Sequence, residues 1–180
     1  SHKSNIYHAT SAYAALTINK DDCILMVVPM FHVLAWGIPY FGPMTGNKLV
    51  MPGMGMEGDS LYELIDKEGV NSTFGVPTVW MQLLAYCREN NKVLDSVKNT
   101  IIGGSALSLA MLKEFDEVHD VNVIHAWGMT EMSPLGTTNL PTAEMETMSK
   151  DEKYAIQLKQ GRPVFGVELK ITDDNGNDLP

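Results

Sequence analysis

Four short apolar runs restrict this chain more than any other feature of its sequence. Cys23–Val28 is stopped by Pro29, Ser72–Val76 by Pro77, and Thr100–Ile102 runs into Gly103-Gly104; the fourth is Val121–His125. Such runs are short for buried helices and rich in Val and Ile, so they predict strands covered on both faces. Helical spacing fills the intervals. Ile6, Ala9, Tyr13 and Leu16 predict a helix over 4–17, residues 33–44 are apolar and of helical length, and residues 78–90 read as a helix. Leu61, Leu64, Ile65 and Glu68 predict a helix starting after Asp59-Ser60, both good cap residues, and Leu109, Leu112 and Phe115 predict one face of a helix over 108–118. Lys48–Met51 is a short strand candidate, 136–160 reads as polar loop with a short helix, and Val167–Ile171 alternates like a half-exposed strand. Alternating strands and helices predict an α/β fold with a mostly parallel sheet and flanking helices. A change near residue 160 divides the expectation into an α/β core over 1–160 and the start of a smaller β subdomain over 161–180.

Composition excludes several classes. A formal net charge of −9 over 180 residues argues against a broad nucleic-acid surface, which needs clustered Lys and Arg. It leaves open a small nucleotide held by backbone amides and a metal. Cys23 and Cys87 show neither metal-ligand spacing nor a disulfide framework, and a reduced cytoplasmic setting is the default. No apolar run is long enough to span a bilayer. No basic amphipathic segment demands a membrane surface either, so peripheral contact stays open. His119 and His125 lack a third ligand for zinc. Ser105 lacks a nucleophile elbow, and Gly103-Gly104 is not a dinucleotide fingerprint.

In sheets of this kind ligands bind beyond the carboxyl ends of the strands. That singles out Pro29–His32, Gly103–Ala106 and His125–Glu131. His32 could donate to an anionic oxygen or serve as a hydrogen-bonded turn residue, and Trp36, four residues on, would share a helical face with it. The glycine pair could let the backbone approach a flat ligand or simply make a strand-to-helix turn. In His125-Ala126-Trp127-Gly128-Met129-Thr130-Glu131, an aromatic ring could stack on a base, a hydroxyl could hold phosphate, and a carboxylate could bind magnesium. Equally, Thr130 could be a helix cap and Glu131 a first-turn acid. Methionines near these segments, Met30, Met129 and Met132, suit an adaptable apolar pocket.

Taken together, in this order and spacing, the segments resemble the adenylate-forming superfamily of acyl-CoA synthetases, luciferases and adenylation domains. The tract AWGMTEMSP is similar to that family's aromatic-Gly-x-Thr-Glu motif, GGSAL to its adenine- and acyl-lining loop, and GRPVFGVELKI to the segment leading toward the enzyme's second half. The likeness covers essentially all 180 residues. PMFHVLAWGIPY and Gly75-Val-Pro-Thr-Val-Trp80 bring it nearest to long- and medium-chain fatty-acid–CoA ligases. The resemblance implies that the chain is part of the large N-terminal domain of an enzyme using ATP, Mg²⁺ and coenzyme A to convert a fatty acid to its thioester through an acyl-adenylate. It implies that Trp127 stacks on adenine, with Gly103, Gly104, Ser105, His125, Ala126, Gly128 and Thr130 around the nucleotide. His125 departs from the polar amide expected there. Thr130 would hold phosphate, Glu131 the metal, and His32 would stabilise the reacting centre. Val33, Trp36, Gly128 and Met129 would line the acyl pocket, with Trp36 as its gate.

The same resemblance places a phosphate-cradling loop before Ser1, and a ribose-binding Asp, a hinge and a mobile lid after Pro180, so the 180-residue chain by itself is expected to be inactive. Homo-oligomerisation through exposed strand edges stays open. Alternatives are an aryl-CoA ligase, a fatty-acyl–AMP ligase or a non-catalytic scaffold of the same fold; a nicotinamide-dependent oxidoreductase is remote.

Overall fold

The computed structural model describes residues 1–179. After an opening helix α1 (His2–Ala15), the strands β1 (Cys23–Met26), β2 (Lys48–Val50), β3 (Ser72–Gly75), β4 (Asn99–Ile102) and β5 (Asn122–Gly128) run parallel to their neighbours. β6 (Leu135–Asn139) and β7 (Arg162–Pro163) complete a seven-stranded sheet in antiparallel pairing, in the order β2-β1-β3-β4-β5-β6-β7. A separate hairpin pairs β8 (Ile171–Thr172) with β9 (Asp178–Leu179). The main architecture is thus the α/β one expected, with a mostly parallel sheet.

Alternation along the strands sends side chains into two cores. Cys23, Leu25 and Val27 face one layer, which holds Leu61 and Ile65 of α4 (Gly58–Glu68), Trp80, Leu83 and Leu84 of α5 (Pro77–Asn90), and Met111, Leu112 and Phe115 of α6 (Leu109–His119). Ile24, Met26 and Val28 face the other, which holds Ala9 and Ala12 of α1 and Ile38 and Phe41 of α3 (Ile38–Thr45). Prolines and glycines mark the element ends as the sequence suggests: Pro77 occupies the first turn of α5, and Gly69 ends α4 in the left-handed region.

Several local expectations need correction. Of the strand expected over Val167–Ile171 only Ile171 is in a strand, β8, because among the described residues this stretch has no neighbour to pair with before the hairpin begins. Residues 33–44 are not one helix. Val33, Leu34, Ala35 and Trp36 have φ of 42°, 50°, 48° and 56°, and Gly37 follows at 84°, so α2 (Val33–Trp36) is a single left-handed turn before the right-handed α3. His32 and Trp36 therefore do not share a right-handed helical face. Left-handed backbone costs a non-glycine residue about 1–2 kcal/mol, and β-branched Val33 is a severe instance. Helix α4 starts one turn earlier than predicted, with Glu57 at its N-cap position, so Asp59 and Ser60 lie inside the first turn. On α6 the buried face is Met111, Leu112 and Phe115, whereas Leu109 is exposed.

β6 lies in the segment expected to be mostly loop. Its residues Leu-Gly-Thr-Thr-Asn are all buried, and Thr137 and Asn139 donate to backbone carbonyls at and beyond the end of α7 (Lys150–Gln157). The Thr137 hydroxyl donates to the Gln160 carbonyl at 2.5 Å, and the Asn139 amide donates to Ile156 and Lys159 carbonyls at 2.5 and 2.7 Å. Asn139→Leu removes both side-chain bonds and takes the Lys159 carbonyl's amide partner away, while the Ile156 carbonyl keeps its bond from Lys159 N; the substitution is expected to lower unfolding free energy by about 1–3 kcal/mol in denaturant titrations.

Three imidazoles are buried, His8, His119 and His125. Burial disfavours the charged form; it pushes His8 down to about 4 and lowers His119 and His125. Unfolded imidazoles protonate near 6.5, so below that pH the unfolded chain binds more protons than the folded one. Stability is expected to hold above pH 6.5 and to fall as the pH drops toward 4. Urea midpoints measured from about pH 7 to about pH 5 check this, and His8→Leu should flatten the decline.

Candidate functional site

The site forms where the parallel strands end. β4 and β5 pair with Ile102 opposite His125, so Gly103 comes beside Ala126 and the Trp127–Glu131 segment rises next to it. Gly103 is confined: a Cβ there would stand 2.8 Å from the Ala126 carbonyl oxygen. Gly104 sits at φ 78°, a conformation glycine adopts without strain. Over this pair lies the Trp36 indole. Cβ atoms placed on Gly103 and Gly104 would be 3.5 Å from Trp36 Cη2 and 3.7 Å from Cζ2. The left-handed turn brings Trp36 onto the end of β4 from the opposite side of β3.

The neighbouring aromatic is held by a bulge. Trp127 pairs with Thr137 and Gly128 with Leu135, leaving Gly136 as the extra residue of β6. A Cβ on Gly136 would lie 2.5 Å from Trp127 Cζ3, so the indole rests directly on glycine backbone. Gly128 is equally constrained, because its Cβ would meet the Pro134 carbonyl oxygen at 2.3 Å. The chain then enters a 3₁₀ turn, Thr130–Met132, which presents Thr130 and Glu131 at the rim.

Between these walls is a cavity of about 290 Å³. It gathers His32, Val33 and Trp36 from the left-handed turn, Gly103 and Gly104 from the end of β4, and Ala126 through Glu131 from β5 and the turn beyond. Its floor is apolar, and the Thr130 hydroxyl, the Glu131 carboxylate and the His32 imidazole are its polar groups. Glu131 also borders a second cavity, where Ser1, Lys3 and Ser4 add hydroxyls and a cation. Among the described residues no three His, Cys, Asp or Glu side chains converge as a metal cage. Glu131 is thus a single carboxylate beside open space. That donor set suits magnesium shared with phosphate oxygens, because Mg²⁺ binds through one or two carboxylates plus substrate phosphates.

Four residues singled out from the sequence, Met30, which is exposed, Met132, which borders the second cavity, Ser105 and His125, do not line the main cavity. Ser105 is exposed beside it. His125 is buried with its Nδ1 3.0 Å from the Leu158 carbonyl oxygen, to which it donates, so the ring turns toward the end of α7. Conversely, Leu16, Phe74, Ile101, Pro134 and Leu135 complete the lining. Phe74 and Ile101 sit within strands, and Leu16 follows α1; their part in the cavity comes from tertiary placement, for which the sequence carries no motif.

The AMP-binding enzyme family model matches residues 1–180. The chain is 48% identical over 182 residues to the medium-chain-fatty-acid–CoA ligase of Ectopseudomonas oleovorans, covering 100% of this chain and 33% of that protein. It is 46% identical over 182 residues to the 3-methylmercaptopropionyl-CoA ligase of Ruegeria lacuscaerulensis, covering 100% of this chain and 34% of the relative. The crystal structure of a long-chain-fatty-acid-CoA ligase from Archaeoglobus fulgidus superposes with a TM-score of 0.83 at 25% identity, over 99% of this chain and 36% of that one. The chain therefore spans about a third of the length of the curated relatives it matches.

Because Trp127 lies directly on Gly136, Gly136→Ala is expected to displace the indole. If Trp127 stacks on adenine, as the resemblance to the adenylate-forming superfamily implies, calorimetric titration of the full-length protein with AMP should then show affinity reduced by about 10-fold, the scale of one lost base–aromatic stack.

Proposed function

Since this chain belongs to the AMP-binding enzyme family, we propose that the full-length protein is a fatty-acid–CoA ligase whose reacting centre lies in the cavity between Trp36 and Trp127. The observation that carries the reading is that one largely apolar cavity is lined both by Trp36 and Trp127 and by Thr130, Glu131 and His32. An acyl chain can leave water along the apolar lining while its carboxylate meets the polar groups.

In the proposed first step a carboxylate oxygen attacks the α-phosphorus of ATP. A phosphorus–oxygen bond forms to the acid, and the bond to pyrophosphate breaks. In the second step the sulfur of coenzyme A attacks the acyl carbon and AMP leaves. Thr130 donates to a phosphate oxygen, and His32 donates to the oxygens of the reacting carboxylate and phosphate. The Glu131 carboxylate would hold Mg²⁺, which would supply positive charge to offset that of the phosphates. Trp127 stacks on adenine, with the Gly128 backbone beside it. Val33 and Met129 line the acyl slot, and Trp36, over the Gly103-Gly104 floor, governs entry. Ser105 and His125 act at the adenine end through backbone placement, since neither side chain lines the cavity. The apolar walls keep water from the reactive adenylate.

Support for this reading comes from the fatty-acid ligase relatives, which include a protein 48% identical over the whole of this chain. The 46% identity to a 3-methylmercaptopropionyl-CoA ligase favours a second reading, in which the acid is short and carries a thioether. We place the enzyme in the cytoplasm, a setting with which two free, buried cysteines agree. Among the described residues no helix is long and apolar enough to cross a membrane. Residues 1–160 would serve as the adenylation core and 161–180 as the start of a smaller β subdomain, although Arg162–Pro163 still pairs with β6 in the main sheet.

Acid-dependent ATP–pyrophosphate exchange by the full-length protein, measured from propionate-sized to long-chain acids, tests the proposal. Exchange should depend on the acid, peak at medium or long chains, and be followed by thioester formation. A peak at three or four carbons would favour the thioether reading, and exchange without thioester an acyl–AMP ligase. Glu131→Ala should lower exchange by about 100-fold or more, a size consistent with losing a group that stabilises transition-state charge. Unchanged exchange in that variant would rule out the metal role.

A further inference from the structure

Helix α1 carries a buried polar group that the proposed chemistry does not use. His8 is 6% exposed, and its Nε2 has no hydrogen-bond partner. Its ring presses on one point of the backbone: a Cβ on Gly37 would lie 2.3 Å from His8 Cε1 and 2.5 Å from His8 Nδ1. Gly37, at φ 84°, closes the left-handed turn and is also the residue from which α3 starts. Immediately before it stands Trp36, whose indole covers the Gly103-Gly104 floor.

Local hydrogen bonds alone hold the turn weakly. Ala35 N donates to the His32 carbonyl at 3.1 Å and Gly37 N to the Leu34 carbonyl at 2.9 Å, while four successive non-glycine residues remain in a conformation they disfavour. Such a conformation persists only when its surroundings dictate it. The contact dictating it on the α1 side is the imidazole, wedged where any side chain on residue 37 would have to go. The ring also borders the second cavity, so it stands between the Lys3 and Ser4 wall and the Trp36 turn.

We propose that His8 is a positioning residue for acid selection: by abutting Gly37 it fixes the left-handed turn and so sets where Trp36 lies over the acyl slot. The inference rests on the reading of this cavity as the acyl site and adds to it a residue that lines a different cavity. Removing the ring frees the turn to relax toward right-handed backbone, which moves the indole. Trp127, Thr130 and Glu131 belong to β5 and the 3₁₀ turn and not to the left-handed turn, so the effect falls chiefly on the acid and much less on ATP.

The test is a double-substitution cycle in the full-length protein with His8→Ala, Gly37→Ala and both together. KM for acids of graded chain length, KM for ATP, and Tm are measured for each. His8→Ala should raise KM for the preferred acid by about 10-fold and flatten the chain-length ranking, with KM for ATP changed less than about twofold. Gly37→Ala should do the same more severely. The double variant should recover part of the Gly37→Ala loss, because the added methyl then has room where the ring stood. Equal effects on acid and ATP, an unaltered chain-length ranking, or additive effects of the two substitutions would overturn the proposal. If the unsubstituted enzyme activates no acid at all, the functional reading fails by itself. The contact between His8 and Gly37 is then still judged by Tm, where additive shifts overturn it and partial rescue upholds it.

Discussion

Pairing between β4 and β5 is the interaction on which the rest of the site depends. Its register sets Ile102 against His125 and thereby brings Gly103 so close to the Ala126 carbonyl that no side chain fits between them. The two strand ends become one surface. Everything above that surface is placed by reference to it: the Trp36 indole over the glycine pair, Trp127 at the next step of β5, and the hydroxyl and carboxylate of Thr130 and Glu131 just beyond. A shift of one residue would invert the facing of β5 and send Ala126 to the wrong core.

The antiparallel turn-back at β6 supplies what a wholly parallel sheet would lack. β5 needs a neighbour on its outer side, and β6 provides one while its bulge at Gly136 makes a flat seat for Trp127. The seat is anchored from behind by the carbonyls at 156–160, which Thr137 and Asn139 engage. Polar residues inside this sheet thus serve a packing role, and the segment after α7 is fixed by the same bonds that satisfy them.

These relationships explain which parts of the molecule could be read from the chain. β1, β3, β4 and β5 were legible because strands buried on both faces need continuous apolar sequence, and Cys23–Val28 or Thr100–Ile102 have no other reading of comparable strength. β6 was not, since Leu-Gly-Thr-Thr-Asn is polar and its partners lie far along the chain. The left-handed turn was illegible for a different reason. Nothing in Val33-Leu34-Ala35-Trp36 favours it; Gly37 and the groups packed against it impose it. At the site, the motif-bearing positions were readable because their chemistry is tied to residue type. Leu16, Phe74 and Ile101 were not, because any apolar residue of suitable shape would serve, and only the folded chain brings them to the cavity.

The sheet divides the interior unequally with respect to function. Leu16, Phe74, Ile101, Ala126 and Leu135, which line the cavity, all belong to the core on the α1 and α3 side. The opposite core, built from α4, α5 and α6, contributes none of its buried side chains to it. Drift in the α4–α6 layer is therefore nearly silent for ligand choice so long as the sheet stays rigid. Drift in the α1–α3 layer alters the slot directly. A lineage built on this plan can diversify its substrates by repacking one side of the sheet while the other preserves the frame, which separates the evolution of specificity from the maintenance of the fold.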